Sequence, residues 1–195
     1  MGVTLAKGGN VSLSKAAPNL TQVRIGLGWM ARSTTGAAFD LDASALLCGN
    51  GRVLGDEYFV FYNNLKSPDG SVEHTGDELI GGRGGADGED DETVLVDLSL
   101  VPADVDKIVF PVSIYDAESR RQTFGQVTDA YIRVLNQEDG QELARYDLTE
   151  DASAETAMIF GELYRREGEW KFRAVGQGYA SGLRGIALDF GVNVS

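Results

Sequence analysis

"QVRIGLGW", Gln22 to Trp29, sets Val23, Ile25, Leu27 and Trp29 at every second position, with Arg24, Gly26 and Gly28 between them. Side chains of a β-strand alternate between two faces, so this spacing reads as a strand with one apolar face and one thin or polar face. The same period governs "FDLDASALL", where Phe39, Leu41, Ala43 and Ala45 oppose Asp40, Asp42 and Ser44. The two aspartates therefore share a face.

Working outward, "EYFVFYNN", "TVLVDLSL", "KIVFPVSIYD", "AYIRVLN", "ELARYDL" and "WKFRAV" are rich in β-branched and aromatic residues and are separated by Gly, Asn and Asp turns. Twenty-five glycines against four prolines fit a chain with many tight turns. About eight strands at this spacing predict a mainly β fold, a sandwich or barrel. Pro111 removes a ladder donor from its strand, which places that strand at an edge or at a bulge. Two stretches read as helices. "SAETAMIFGELYRR", Ser153 to Arg166, puts Ala157, Phe160, Leu163 and Tyr164 on one stripe behind a Ser153 N-cap. "SGLRGIALDFG", Ser181 to Gly191, spaces Leu183, Ile186, Ala187 and Phe190 in the same way, with Gly191 at the C-cap. No repeat or linker composition divides the chain, so residues 1–195 are expected to form a single domain.

The 195 residues carry 17 basic and 30 acidic side chains, a formal charge of -13. That balance disfavours nucleic acid and anionic membranes and favours cations as partners. Cys48 is the only cysteine, which excludes an internal disulfide, fits a reducing compartment and reads as a small buried hydrophobe. The N-terminus lacks an apolar signal region and no apolar run approaches a membrane span, so a cytoplasmic location without direct membrane insertion is expected.

The densest chemistry lies in "HTGDELIGGRGGADGEDDE", His74 to Glu92, where seven carboxylates and six glycines accompany one basic residue, Arg83. Glycine permits tight turns that aim carbonyls inward, and carboxylates are hard oxygen ligands, a combination suited to Ca²⁺. An EF-hand is excluded, because counting from Asp87 puts Glu92 sixth and Leu98 twelfth. The expected alternative gathers ligands from several strand ends, with Asp40 and Asp42 as remote contributors and Asn63 and Asn64 adding amide oxygens. An acid run is by default a solvated loop. Two aspartates on one face of an apolar strand, however, require solvent or a cation.

Smaller signals have plainer readings. His74 stabilises a turn, since calcium prefers oxygen; Asp116 caps a turn or adds a ligand; Trp29 and Trp170 belong to the core. Arg165, Arg166, Lys171 and Arg173 read as a solvated basic face. A metal-dependent hydrolase built on the carboxylates is the rival function, and a metal-free scaffold with a solvated acidic loop is a third. With one histidine, one thiol and neither a Walker loop nor a nucleophile elbow, no enzyme is expected.

Taken together, "KGGNVSLSK", "GLGW", "FDLDASA", "YNNLKSPDGSVEHTGD", "DDETVLVDLSLVPADVDKIVFPVSIYDAE", "FGQV", "DASAETAMIFGELYRREGEWKFRAVGQGYASGL" and "FGVNV" resemble the TerD family of tellurium-resistance and stress-response proteins. The match runs nearly end to end. It implies a β-sandwich of two antiparallel sheets with short peripheral helices, in a cytoplasmic bacterial protein. It also implies one or two Ca²⁺ ions and partnership with other tellurite-resistance proteins, a membrane component among them. Carried over residue by residue, the metal positions are Asp40, Asp42, Asp77, Asp90, Asp91 and Glu92, with Asn63, Asp87 and Glu89 as further contributors. This chain departs from the family's acid-glycine alternation at "LIGGRGGADGE", where Ile80, glycines and Arg83 stand. Tellurite need not be a ligand, because an oxyanion would be repelled by this loop.

Overall fold

The structure is a computed structural model and describes residues 2–31, 41–75, 90–148 and 154–193. In chain order its first strands are β1 (Val3–Leu5), β2 (Asn10–Ser12), β3 (Gln22–Ala31), β4 (Leu41–Ala43), β5 (Ala45–Gly49), β6 (Arg52–Val53) and β7 (Phe59–Val60). Then follow β8 (Val72–His74), β9 (Glu92–Asp97), β10 (Lys107–Ile114), β11 (Val127–Asn136), β12 (Glu142–Asp147), β13 (Ala157–Arg166) and β14 (Glu169–Tyr179). Among the described residues, the short α-helices α1 (Leu13–Ala16), α2 (Ala117–Arg120) and α3 (Gly182–Asp189) accompany these strands.

Two sheets result, as a sandwich predicts. The six-stranded sheet runs β1-β12-β11-β3-β9-β8, and the eight-stranded sheet runs β2-β14-β13-β10-β5-β6 with β4 added on β10 and β7 on β5. Pairing is antiparallel except at one edge, where β1 lies parallel to β12. The apolar faces meet in one core that takes Val23, Ile25, Leu27 and Ile132 from the first sheet and Leu47, Ile108, Phe110 and Phe160 from the second. Val23, Ile25 and Leu27 are buried as their period demands.

Pro111 sits in β10, between β13 on one side and β4 and β5 on the other, so the edge reading gives way to the bulge: the β10–β13 register shifts between Phe110 and Pro111. The Pro111 carbonyl accepts the Ser44 N–H at 3.0 Å, at the break between β4 and β5.

The helix expected over Ser153–Arg166 is instead strand β13, paired with β10 and β14. A second cluster explains the error. Ala157 and Ile159 pack with Leu46, Cys48, Val109, Ile186 and Ala187 beneath α3, while Met158, Phe160 and Leu163 face the core between the sheets. With both faces covered, β13 carries no polar alternation to betray its period. The other expected helix is present as α3, with Ile186 and Ala187 buried and Gly191 following at φ 83°.

Cys48 is fully buried, and desolvation pushes its thiol from an ordinary 9.0 up to about 12. Trp29 is core, whereas Trp170 is half-buried beneath the Arg165 guanidinium, 4.6 Å from the ring centre. The expected solvated basic face is partly committed to structure. Arg165 Nη2 donates to the carbonyls of Pro102 and Val105 at 2.8 and 2.9 Å, and Arg173 pairs with Glu162 at 3.3 Å.

Candidate functional site

Four described strand ends meet at one end of the sandwich: Ala31 closing β3, Leu41 opening β4, Thr75 after β8, and Asp90 before β9. Residues 32–40 connect β3 to β4, and residues 76–89 connect β8 to β9. The expected ligands Asp40, Asp77, Asp87 and Glu89 belong to these connections and lie outside the described residues.

Asp90, Asp91 and Glu92 stand side by side in sequence, yet the structure sends them three ways. Glu92 opposes Leu27 and turns its side chain, fully buried, toward the interior. Its Oε2 accepts the Ala43 N–H and lies 3.6 Å from His74 Nε2. Since Glu92 belongs to the six-stranded sheet and Ala43 pairs with β10 of the other, this carboxylate ties the two sheets together. His74 is thus a buried strand residue rather than a turn residue.

Asp91 continues the ladder one residue ahead of the start of β9. Its N–H donates to the Leu27 carbonyl at 2.7 Å, and its Oδ2 accepts the Trp29 N–H at 3.0 Å. The side chain thus satisfies a β3 donor that a longer β9 would have met.

Asp90 turns to the outward face of the sheet. Its Oδ1 accepts from Tyr131 Oη at 2.9 Å and from Arg133 Nε at 2.8 Å, and its Oδ2 accepts from Arg133 Nη2 at 3.1 Å. Arg24 Nη2 adds an ion pair at 3.7 Å. The Arg133 contact is a two-pronged guanidinium–carboxylate pair on a carboxylate with no exposed surface. Burial disfavours the Arg133 cation, but the Asp90 hydrogen bond and charge outweigh that and hold the group above its ordinary value. Tyr131 is likewise raised, first by burial and then by Asp90. Gly26 and Gly28 make room: a Cβ on Gly26 would meet the Asp90 carboxylate, and one on Gly28 would meet the Tyr131 ring.

Asp42 is buried, opposite Ser113 in the β4–β10 register. Asn63 is exposed in the turn closed by the reciprocal backbone bonds of Phe61 and Asn64, at 3.0 and 2.9 Å. Asn64 holds that turn with its own amide, donating to the Glu57 and Phe59 carbonyls. Asp116 occupies the N-cap of α2 without a side-chain cap bond and pairs instead with Arg120 at 3.8 Å.

Among the described residues, no three of His, Cys, Asp or Glu converge closely enough to hold a metal ion. The donor chemistry nonetheless fits a hard cation. Asp42, Asp91 and Glu92 are buried carboxylates near the ends of neighbouring strands, and burying ionised carboxylates is costly unless positive charge or hydrogen bonds balance them. Sequence reasoning passed over Arg24, Tyr131 and Arg133. Their signal was present in the alternation Arg24, Gly26, Gly28 on the thin face of "QVRIGLGW" and in Tyr131, Arg133 on the same period in "AYIRVLN".

Comparison with known proteins places the chain in a defined group. The TerD domain family model matches residues 1–190. "Tellurium resistance protein TerD" of Serratia marcescens is 62% identical over 196 residues, covering 100% of both chains. "General stress protein 16U" of Bacillus subtilis (strain 168) is 51% identical over 196 residues, again with 100% of both covered. A solved structure of a Streptomyces coelicolor A3(2) homologue of telluride resistance protein superimposes with TM-score 0.69 over 87% of this chain and 96% of its own. At 23% identity that likeness shows the fold.

Proposed function

The chain belongs to the TerD family, and from that premise we propose that it is a calcium-binding stress-response protein of the tellurite-resistance type, acting without catalysis. Asp42, Asp91 and Glu92 are the described residues that would contribute oxygens, with Asp40, Asp77, Asp87, Glu89 and Asn63 completing the set. The observation that carries the reading is the position of Glu92, a buried carboxylate that spans the two sheets at the end of the sandwich where the acidic 76–89 connection and the 32–40 connection that bears Asp40 begin and end. When bound, Ca²⁺ would add positive charge beside these buried carboxylates.

The chain's own residues set the frame. Glu92 holds β4 against β9, Asp91 fixes the end of β3, and Thr75 closes the opposite stem through its N–H and hydroxyl, both donating to the Thr93 carbonyl at 3.2 and 3.1 Å. The surface so formed is the proposed docking face for other tellurite-resistance proteins, a membrane component included. Among the described residues no helix is long and apolar enough to cross a membrane.

A thermal melt in EDTA and then in added Ca²⁺ or Mg²⁺ tests the reading. Ligand at one hundred times Kd adds about 2.7 kcal/mol, which for a chain of this size raises Tm by about 5–10 °C. Ca²⁺ is expected to give the larger shift, and Asp42→Asn and Asp91→Asn to reduce it. A melting temperature indifferent to both ions sinks calcium binding, and purified family partners that associate equally well in EDTA sink the docking face.

A further inference from the structure

The contacts of Asp90 separate it from its two neighbours in function as well as direction. We infer that Asp90 is a positioning residue rather than a metal ligand: Arg133, Tyr131 and Arg24 latch its carboxylate to the outward face of the six-stranded sheet and thereby set where Asp91 and Glu92 enter the site. The metal half of this inference rests on the calcium reading above; the latch itself does not.

Three features carry it. First, both Asp90 oxygens are engaged, Oδ1 by Tyr131 and Arg133 and Oδ2 by Arg133 and Arg24, so the carboxylate faces cationic and O–H donors on the outer side of β3 and β11. A cation approaching there meets two guanidinium groups, which repel it. Second, the latch is built into the sheet. Arg133 opposes Gly26, Tyr131 opposes Gly28, and both glycines leave space that any larger side chain would fill. Arg145 stacks over the Tyr131 ring at 4.1 Å and supports it from behind. Third, the next residue is already committed. The Asp91 N–H and side chain are bonded to Leu27 and Trp29 of the same strand β3, so fixing Asp90 fixes the turn that points Glu92 inward.

This assignment differs measurably from a ligand role. The experiment is a double-mutant cycle of Asp90→Asn, Arg133→Gln and the pair, read twice in the full-length protein, with far-UV circular dichroism confirming the strand content of each variant. In EDTA, urea unfolding is expected to show that either single change loosens the chain and that the pair costs little more than one, since both remove the same contact. Additive losses would overturn the latch. In calorimetric titration with Ca²⁺, each single variant is expected to bind about 10- to 100-fold more weakly, the scale for groups that orient ligands, and the pair no more weakly than either. Arg133→Lys, which keeps the charge but not the fork, should fall between wild type and Arg133→Gln. If Arg133→Gln binds Ca²⁺ as well as or better than wild type while Asp90→Asn binds worse, Asp90 is a ligand and the inference fails. Wild-type protein that gives no heat with Ca²⁺ refutes the calcium reading and the metal half of this one together, while the EDTA cycle still decides the latch.

Discussion

Replacing Glu92 with alanine is expected to lower the unfolding free energy by about 3 kcal/mol in metal-free buffer, measured by urea denaturation in EDTA. The figure follows from what the carboxylate does. Its Oε2 accepts the Ala43 N–H from a strand of the other sheet, and its side chain has no exposed surface. Truncation leaves the Ala43 donor without that acceptor in a place water does not reach, and opens a void beside His74. Glu92→Gln separates the structural role of the group from its proposed role as a metal ligand. A glutamine carbonyl can still accept from Ala43, so stability should stay within about 1 kcal/mol of wild type, while Ca²⁺ affinity falls because the charge is gone. An alanine variant as stable as wild type would mean that Glu92 does not tie the sheets.

How much of this was legible beforehand depended on whether a residue's role left a mark in local pattern. The period-two alternation of Val23, Ile25, Leu27 and Trp29 announced β3 because one of its faces is covered and the other carries Arg24 and two glycines. That same thin face held the latch, but a glycine that makes room for a partner 64 residues later, as Gly26 does for Asp90, looks in sequence like a glycine that merely breaks a pattern. The acidic run was legible as a unit and misleading in detail. Adjacent carboxylates read as one cluster, whereas the chain direction sends Asp90 outward to Arg133, Asp91 along the ladder to Trp29, and Glu92 inward to Ala43. Asp40, Asp77, Asp87 and Glu89 lie outside the described residues.

The error at β13 marks the opposite limit and leads to a prediction. Ala157, Phe160, Leu163 and Tyr164 do recur at helical spacing, and only long-range pairing with β10 and β14 decides against the helix. In the strand Phe160 is nearly fully buried between the sheets, 6.1 Å from the Phe124 ring, with α3 covering the opposite face through Ile159. Phe160→Ala is therefore expected to cost about 3–5 kcal/mol, from lost transfer energy and from a cavity that two paired neighbours prevent from collapsing. The corresponding fall in Tm is about 6–20 °C in a chain of this length. Calcium affinity at temperatures where the variant is folded should equal that of wild type, because Phe160 belongs to the core rather than to the end that carries Asp91 and Glu92. A loss below about 1 kcal/mol would put Phe160 at the surface and restore the helical reading. A large loss with unchanged Kd would separate the packing that builds the sandwich from the carboxylates proposed to hold the cation.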